Sequence, residues 1–242
     1  MSRGKRLAAF DFDKTITLEN TDHVAQDLVP KHITPKYIRN GWTAYMRNIF
    51  EILHKEGIDK SIITKAIIDI PPICGMPELI KDLSENLNYD VIIISDSNSY
   101  FINVWLKEHK LLNNIKKVFT NPAEFSNGLL KIEMYHLQDW CNLSEKNLCK
   151  GQILEDYIKA QKKAGVEYQQ VMYVGDGPND FCPILRLNHG DLAFCREGYK
   201  CADLVRDAKD NKPIKDELRT VKADVHLWKT GFDILNVIKT IG

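Results

Sequence analysis

The chain has 242 residues, 44% of them hydrophobic and 27% charged, and its 33 basic and 33 acidic side chains give a formal net charge of +0. This length suits one α/β domain, or one domain that carries a smaller inserted one, and the composition allows a sizeable buried core. Proteins that bind nucleic acids or anionic membrane surfaces typically carry an excess of positive charge, which this neutral composition does not show. We therefore expect no nucleic-acid or membrane partner.

The N-terminal region and the cysteines favour a cytoplasmic protein. Only residues 7–10 are apolar before Asp11, which is too short for a signal-peptide core, and no apolar run approaches the ~20 residues of a membrane span. The six cysteines form no CxxC pair, so neither a zinc ribbon nor a redox motif is indicated. Reduced thiols are the expectation. The cysteines are Cys74, Cys141, Cys149, Cys182, Cys195 and Cys201.

The first predicted element is a short buried strand over residues 6–10, which ends at the sequence Asp-Phe-Asp. From about residue 21 to residue 70 no run resembles a strand, and apolar side chains recur at helical spacing. Those of the first helical stretch are Ile38, Trp42, Tyr45, Met46, Ile49 and Leu53. Prolines and a glycine shortly after residue 70 indicate a hinge at which the chain returns from the insertion to the core. We predict a helical insertion at residues 19–75 within a core of residues 1–18 and 76–242.

Strands and helices alternate after the insertion. Residues 91–95 and 171–176 begin with continuous apolar runs, which is typical of strands covered on both faces, and residues 118–119 and 191–194 indicate shorter strands. Helical patterns separate them, at residues 77–87, around residues 101–109 and at residues 148–164. This alternation predicts an α/β protein with a parallel sheet and right-handed crossovers.

Polar side chains follow three of the predicted strands. Asp11 and Asp13 follow the first, Ser95 and Asp96 end the second, and Asp176 ends a later one. Because the carboxyl ends of parallel strands line the ligand crevice, these residues should converge. Carboxylates brought close together repel each other unless a cation relieves the repulsion, and oxygen ligands suit Mg²⁺.

Each of these features alone is weak, because a lone Asp-x-Asp or Gly-Asp-Gly is usually a turn and a serine after a strand is usually a helix cap. Their order is more specific. Residues 11–15 (DFDKT), Ser95, Lys150 and residues 175–180 (GDGPND) together resemble the motif set of phosphatases of the haloacid dehalogenase superfamily. The resemblance implies a Rossmann-like three-layer parallel sheet, a small helical cap of the C1 type, and a Mg²⁺ cofactor.

The same resemblance implies roles for four acidic residues. Asp11 would be the nucleophile that forms an aspartyl-phosphate, which splits hydrolysis into two easier steps. Asp13 would protonate the leaving alkoxide and then activate water. Asp11, the main-chain carbonyl of Asp13, and Asp176 would bind the metal. Asp180 would hold the water shell of the metal or Lys150.

Other residues would contact the substrate. Ser95 and the amides after it would donate to phosphate oxygens, and Lys150, rather than the runner-up Lys146, would neutralise their charge. Asp22 and Asp96 would face the amino end of the leaving group. Alternatively, these two carboxylates serve only to stabilise helix N-termini.

The chain resembles one branch of the superfamily, which contains phosphoethanolamine/phosphocholine phosphatases and pyridoxal phosphate phosphatase. The resemblance lies in residues 10–16, 93–99, 118–122, 147–150 and 174–183. That branch tends to carry a segment rich in His and Cys before the lysine motif. His136 and Cys141 remain here, but Gln138 and Ser144 stand where further His or Cys would be expected. We therefore do not expect a metal or redox role for this segment.

The predicted activity is Mg²⁺-dependent hydrolysis of a small phosphomonoester, with pyridoxal 5′-phosphate favoured over phosphoethanolamine and phosphocholine. The sequences of residues 93–99 and 119–123 resemble those of pyridoxal phosphate phosphatases more than those of phosphoethanolamine/phosphocholine phosphatases. Phosphoserine phosphatase, which shares the cap type, and a non-catalytic phosphate-binding relative are further alternatives. A kinase or NTPase is disfavoured because the sequence has no Gly-rich phosphate loop of the G-x-x-x-x-G-K-[ST] kind.

Overall fold

The computed structural model describes residues 4–37 and 41–241. Its main strands are β1 (Arg6–Phe10), β2 (Tyr89–Asn98), β3 (Lys117–Asn121), β6 (Gln170–Gly175), β7 (Leu192–Arg196) and β8 (Asp224–Trp228), and a separate hairpin is formed by β4 (Ala123–Ser126) and β5 (Leu129–Ile132). The main strands form one six-stranded sheet in the order β3-β2-β1-β6-β7-β8, and all neighbours are parallel. The predicted parallel α/β sheet is confirmed.

Helices connect these strands. They are α1 (Thr21–Gln26), α2 (Trp42–Lys55), α3 (Lys60–Ile68), α4 (Met76–Glu85), α5 (Ser99–Glu108), α6 (Lys150–Lys163), α7 (Phe181–Ile184), α8 (Lys200–Lys209) and α9 (Gly231–Ile241). Within the described ranges, none of the helices is long and apolar enough to cross a membrane.

The sheet separates two hydrophobic cores. Alternate side chains of β1 point to opposite faces, so Ala8 and Phe10 join one core whereas Leu7 and Ala9 join the other. The first core contains apolar residues of α4, α5 and α9, and the second contains those of α6, α7 and α8. Both faces of the sheet are therefore covered, and the predicted three-layer arrangement is confirmed.

Strand β1 lies at the centre of the sheet. Its last residue, Phe10, is in register with Ile93 of β2 on one side and Val174 of β6 on the other. The chain first builds the sheet outward through β2 and β3 and then continues beyond β1 with β6, β7 and β8. This reversal between β1 and β6 is a topological switch point, where open parallel sheets form their ligand crevice.

Helices α1 to α3 lie between β1 and α4, as the pattern of residues 21–70 predicts. The apolar face of α2 is buried, and Arg47 on this helix donates from Nε to the Ile132 carbonyl of the hairpin at 2.9 Å. Phe50 contacts Phe101 of α5 edge to face, with ring centroids 5.8 Å apart. Ile38, which the helical spacing included, lies outside the described residues, and α2 begins at Trp42.

The segments that enter and leave these helices are hydrogen-bonded to each other. The Leu18 amide donates to the Pro71 carbonyl, and the Ile73 amide donates to the Ile16 carbonyl, both at 2.9 Å. Gly75 follows with a φ of 75°, and a Cβ at this position would lie 2.6 Å from the Phe232 ring. A glycine is therefore required for both the backbone conformation and the close contact.

The hairpin and the edge strand β8 were not predicted from the sequence. The hairpin strands have four residues each, and β8 carries polar side chains within its half-exposed run, so neither contains the continuous apolar run of a central strand. Strand β2 also continues to Asn98, three residues beyond the predicted end, because Thr120 and Asn121 of β3 bond the Ser97 carbonyl from their side chains.

Candidate active site

Two carboxylates flank the switch point of the sheet. Asp11 follows the end of β1 and Asp176 follows the end of β6, and the Asp11 amide continues the ladder to the Val174 carbonyl at 2.9 Å. Asp176 accepts a hydrogen bond from the Thr15 hydroxyl at 3.1 Å. The turn after β1 is held in place by Arg196, whose guanidinium donates to the Lys14 carbonyl at 2.6 Å. The strand ends therefore aim both carboxylates into one crevice.

Lys150 joins this crevice from the first turn of α6. Its side chain is fully buried, and Nζ lies 2.8 Å from Asp11 Oδ2 and 2.7 Å from Asp180 Oδ1. Burial alone would lower the pKa of Lys150, but Asp11, Asp180 and Asp96 together raise it above its usual value. The amine is therefore charged. The alternative Lys146 is exposed.

Asp180 is held by hydrogen bonds on both carboxylate oxygens. Tyr173 donates its hydroxyl to Oδ1 at 2.7 Å, and the amides of Asp176 and Gly177 donate to Oδ2 at 3.0 and 2.8 Å. A Cβ on Gly175 would lie 2.4 Å from the Asp180 carboxyl carbon, so only glycine allows this approach. Asp180 thus fixes the position of the Lys150 ammonium group.

The carboxylates of the crevice carry more negative charge than Lys150 alone offsets. Burial and repulsion by Asp180 raise the pKa of Asp11 well above its usual range, and the same two causes raise the pKa of Asp176 to about 7. Oxygen atoms of Asp11, Asp176 and Asp180 lie within 4.8 Å of one another, which is close enough to hold one metal ion. An all-oxygen donor set with unbalanced negative charge fits Mg²⁺.

Asp13 lines the same cavity as Asp11. Its Oδ1 accepts a hydrogen bond from the Thr21 amide at 2.9 Å. Burial raises the pKa of Asp13 to about 6, although the hydrogen bonds from Thr21 favour the charged form. A carboxyl group with this pKa can both donate and accept a proton near neutral pH.

Ser95 and Asp96 also line the cavity. Ser95 lies inside the extended β2 rather than at a helix start, and its hydroxyl accepts a hydrogen bond from the Ser97 amide at 3.2 Å. Asn179 donates to Asp96 Oδ2 at 2.5 Å, whereas Oδ1 of Asp96 is buried with no hydrogen-bond partner among the described residues. Burial raises the pKa of Asp96, and this rise outweighs the attraction of Lys150.

Asp22 lies behind an aromatic wall of the cavity. It is buried in the first turn of α1 and accepts a hydrogen bond from Trp42 Nε1 at 2.7 Å. Trp42 and Tyr37 line the cavity, with ring centroids 5.2 Å apart, whereas Asp22 does not. The cavity has a volume of about 410 Å³. Asp96 thus lines the cavity itself, whereas Asp22, which was expected to face the leaving group, does not line it and is hydrogen-bonded to the lining residue Trp42.

The sequence did not single out Tyr173, Asn179 or Trp42 as site residues. Tyr173 and Trp42 match the apolar patterns of a strand and a helix. Such a pattern gives no sign that the Tyr173 hydroxyl and the Trp42 indole nitrogen each donate to a carboxylate. Asn179 lies within the GDGPND motif, so its position in a recognisable motif was an available signal.

Comparison with known proteins assigns the chain to a family. The family described as Putative Phosphatase matches residues 6–241. Human "Pyridoxal phosphate phosphatase PHOSPHO2" is 37% identical over 240 residues, with 96% of each chain covered. "Phosphoethanolamine/phosphocholine phosphatase" of Gallus gallus is 30% identical over 244 residues, with 98% of this chain and 89% of the relative covered.

Solved structures agree on the fold. A substrate-bound phosphoserine phosphatase complex superposes with a TM-score of 0.58 at 23% identity, with 98% of this chain and 99% of that chain covered. The likeness supports the haloacid dehalogenase fold that the motif order predicts. The chain therefore belongs to the putative phosphatase family, and it is a phosphomonoester hydrolase with this fold.

Proposed function

We propose that this phosphatase hydrolyses a small phosphomonoester, pyridoxal 5′-phosphate, through an aspartyl-phosphate on Asp11. The observation that carries the proposal is the buried ion pair between Asp11 and Lys150 at the switch point of the sheet. A carboxylate fixed at the end of a central strand is a rigidly aimed nucleophile, and phosphoryl transfer depends mainly on such positioning and on neutralisation of charge.

Two residues carry the proposed proton and phosphoryl transfers. Asp11 attacks phosphorus through a carboxylate oxygen while the bond from phosphorus to the ester oxygen breaks, and Asp13 gives its proton to the departing alkoxide. Asp13 then takes a proton from water, which attacks the aspartyl-phosphate and releases inorganic phosphate and Asp11. The pKa of about 6 for Asp13 supports both roles.

The remaining polar groups bind the phosphate and a metal ion. Asp11, Asp176 and the main-chain carbonyl of Asp13 would hold Mg²⁺, whose charge stabilises the phosphate oxygens when it is bound. Lys150 and the Ser95 hydroxyl face other phosphate oxygens. Asp180, with both oxygens already accepting hydrogen bonds, positions Lys150 and the amides of the GDG turn.

The substrate assignment rests on the shape and lining of the cavity. Its volume of about 410 Å³ suits a small molecule. Trp42 and Tyr37 offer aromatic faces for a pyridine ring, and the Asp96 carboxyl can accept hydrogen bonds from the polar substituents of the ring. The name of the human relative, which shares 37% of the aligned residues, agrees with this substrate.

Phosphoethanolamine or phosphocholine is the second candidate. The unpartnered Oδ1 of Asp96 favours it, because a buried carboxylate oxygen gains from a cationic partner. Trp42 could also hold an ammonium group over its face. The name of the chicken relative corresponds to this alternative.

Two further alternatives are less well supported. Phosphoserine would bring its own carboxylate toward Asp96, where like charges repel. A non-catalytic relative would not need Asp11, Asp13 and Lys150 together, and all three are present and line or face the crevice.

We also infer the domain division and the location of the protein. We divide the chain into a core of residues 1–18 and 76–242 and a cap of residues 19–75. The division is supported by the hydrogen bonds of Leu18 and Ile73, which join the segments that enter and leave the cap. A cytoplasmic location is supported by the cysteines, all six of which are free.

The deciding experiment compares kcat/KM for pyridoxal 5′-phosphate, phosphoethanolamine, phosphocholine and phosphoserine in the wild type and in Asp96→Asn. Pyridoxal 5′-phosphate should be the best substrate, and Asp96→Asn should lower kcat/KM for the preferred substrate by roughly ten- to a hundredfold, since charge-assisted contacts contribute roughly 1.5–3 kcal/mol. Glu145→Gln is the matched control, because Glu145 lines the same cavity but is exposed. Phosphoserine as the best substrate, or unchanged ratios in Asp96→Asn, would refute the assignment.

A further inference from the structure

Cys182 meets two cysteines, Cys141 and Cys149, that precede it by more than 30 residues in the sequence. Cys182 Sγ lies 3.5 Å from Cys141 Sγ and 3.8 Å from Cys149 Sγ, and all three sulfur atoms lie within 4.8 Å of one another. All three thiols are free. The other close thiol pair, Cys195 and Cys201 at 3.6 Å, has no third metal-binding side chain clustered with it among the described residues.

The spacing of the three sulfur atoms matches that of a thiolate metal site. Zinc–sulfur bonds of about 2.3 Å in a tetrahedron place the sulfur atoms about 3.8 Å apart. The observed separations of 3.5 and 3.8 Å require only small adjustments to reach this geometry. Three sulfur ligands leave the fourth position of the tetrahedron for a water molecule.

The surrounding residues hold the three thiols in place. Cys149 lies at the start of α6, where its amide donates to His136 Nε2 at 2.9 Å. A Cβ on Gly151 would lie 2.6 Å from Cys182 Sγ, so glycine at this position makes room for the sulfur. The buried Gln138 accepts from the Cys141 amide at 2.9 Å and donates to the Glu145 carbonyl at 2.8 Å. This bonding shapes the loop that presents Cys141.

The cluster is open to solvent on one side. Cys141 and Cys182 line a surface cavity of about 360 Å³, together with Arg186 and Arg219. This cavity provides an entry path for an ion and room for a water ligand. The guanidinium of Arg186 interacts with Cys182 and with Glu155, so positive charge lies beside the sulfur atom of Cys182. Such charge favours thiolates, which are the metal-binding form.

Contrary to the expectation from the sequence, which gave the segment before Lys150 no metal role, we propose that Cys141, Cys149 and Cys182 form a site for one zinc ion, separate from the carboxylate site of the crevice. On binding, each thiol loses its proton to solvent, so three thiolates and Zn²⁺ form a complex with one net negative charge beside Arg186. The bound ion would tie the start of α6 to α7. Since Cys149 precedes Lys150 and Cys182 lies two residues after Asp180, the ion would brace the two elements that carry this ion pair.

The test uses Co²⁺ as a spectroscopic probe for the zinc site. The full chain is reduced with a phosphine, stripped with chelator, and titrated with Co²⁺ in excess Mg²⁺, which occupies oxygen sites. The wild type should develop sulfur-to-cobalt charge-transfer absorption in the near ultraviolet that saturates at one Co²⁺ per chain, and one equivalent of Zn²⁺ should abolish it. Carboxylate ligands give no such absorption, so the result does not depend on the proposed phosphatase mechanism.

Variants locate the site. Cys141→Ser and Cys182→Ser should each weaken Co²⁺ binding by more than about 100-fold, because even the loss of an outer-shell partner costs about 10–100-fold. Cys195→Ser, from the buried thiol pair, should leave the absorption unchanged. Cys141 is half-buried in a loop, so its variant decides the matter if Cys182→Ser does not fold. The proposal is overturned if the wild type shows no charge-transfer absorption, or if Cys141→Ser retains it.

Discussion

The ammonium group of Lys150 lies 2.8 Å from Asp11 Oδ2, and both groups are withdrawn from solvent at the carboxyl end of the central strand. Burial and Asp180 raise the pKa of Asp11, whereas Lys150 lowers it. The lysine therefore favours the ionised form that a nucleophile needs, and the same charge is available to an incoming phosphate. This pair has consequences that can be measured separately for activity and for stability.

Asp11→Asn should reduce kcat by more than about 10⁴-fold, the scale of loss when a catalytic nucleophile is removed. The substitution is nearly isosteric, so circular dichroism should report an intact fold. The exposed Asp69→Asn should retain full activity. Phosphatase activity that persists in Asp11→Asn would refute the nucleophile assignment.

Lys150→Met should lower the free energy of unfolding by about 3–5 kcal/mol, because it leaves Asp11 and Asp180 buried without their cation. Urea denaturation in the presence of chelator measures this change. The control is Lys162→Met, which breaks an exposed pair with Glu167 and should leave the free energy of unfolding almost unchanged.

A double variant separates charge from packing at this site. Lys150→Met combined with Asp180→Asn should recover part of the lost stability, since one uncompensated carboxylate is removed, but no activity. Equal stability of the single and double variants would contradict the role of buried charge.

Asp13→Asn should lower kcat most for esters with poor leaving groups, because an alkoxide of high pKa needs a proton as it departs. A series of aryl and alkyl phosphates measures this dependence. For aryl phosphates with good leaving groups, the rate at which the aspartyl-phosphate forms should be far less affected. A uniform loss across the series would contradict the general-acid assignment of Asp13.

Asp22 should make the protein less stable as the pH rises. Burial, with repulsion from Asp13, raises the pKa of Asp22 from 3.8 to about 7. Between about pH 4 and pH 7 the folded protein keeps a proton that the unfolded chain releases, so the free energy of unfolding falls across this window. Asp22→Asn removes this titration, and its stability relative to the wild type should increase from pH 4 to pH 7.

The magnitude of the Asp22 effect is bounded by about 1.4 kcal/mol per pKa unit. Urea denaturation at several pH values, in chelator, measures it, and Asp69→Asn reports the general effect of removing an acidic side chain. A stability difference between Asp22→Asn and wild type that stays constant over this range would contradict the raised pKa of Asp22.

Activity should require Mg²⁺ and disappear in excess EDTA, because the carboxylates of Asp11 and Asp176 need a cation to bind an anionic substrate beside them. Ca²⁺ should inhibit rather than replace Mg²⁺, since its larger and looser ligand shell alters the geometry of in-line attack. Steady-state assays with each ion test this, and full activity in EDTA would refute the metal requirement.

The central strands and their reactive ends could be predicted from the sequence alone. Strand β1 was predicted with its observed bounds, and β2 and β6 were recognised because buried parallel strands are continuous apolar runs. Since all parallel strands end at one edge, the strand pattern is sufficient to assign Asp11, Ser95 and Asp176 to one crevice.

Other features depend on contacts between distant segments and could be seen only in the tertiary structure. The hydrogen bond from Trp42 to Asp22 joins two helices. The cluster of Cys141, Cys149 and Cys182 brings a loop together with the starts of helices α6 and α7. A hydrophobic pattern reports which face of an element is buried, but not which side chain lies opposite it. The sequence therefore determined the sheet and the edge at which its acidic residues converge, whereas side-chain packing across elements decided the lining of the cavity and the thiol cluster.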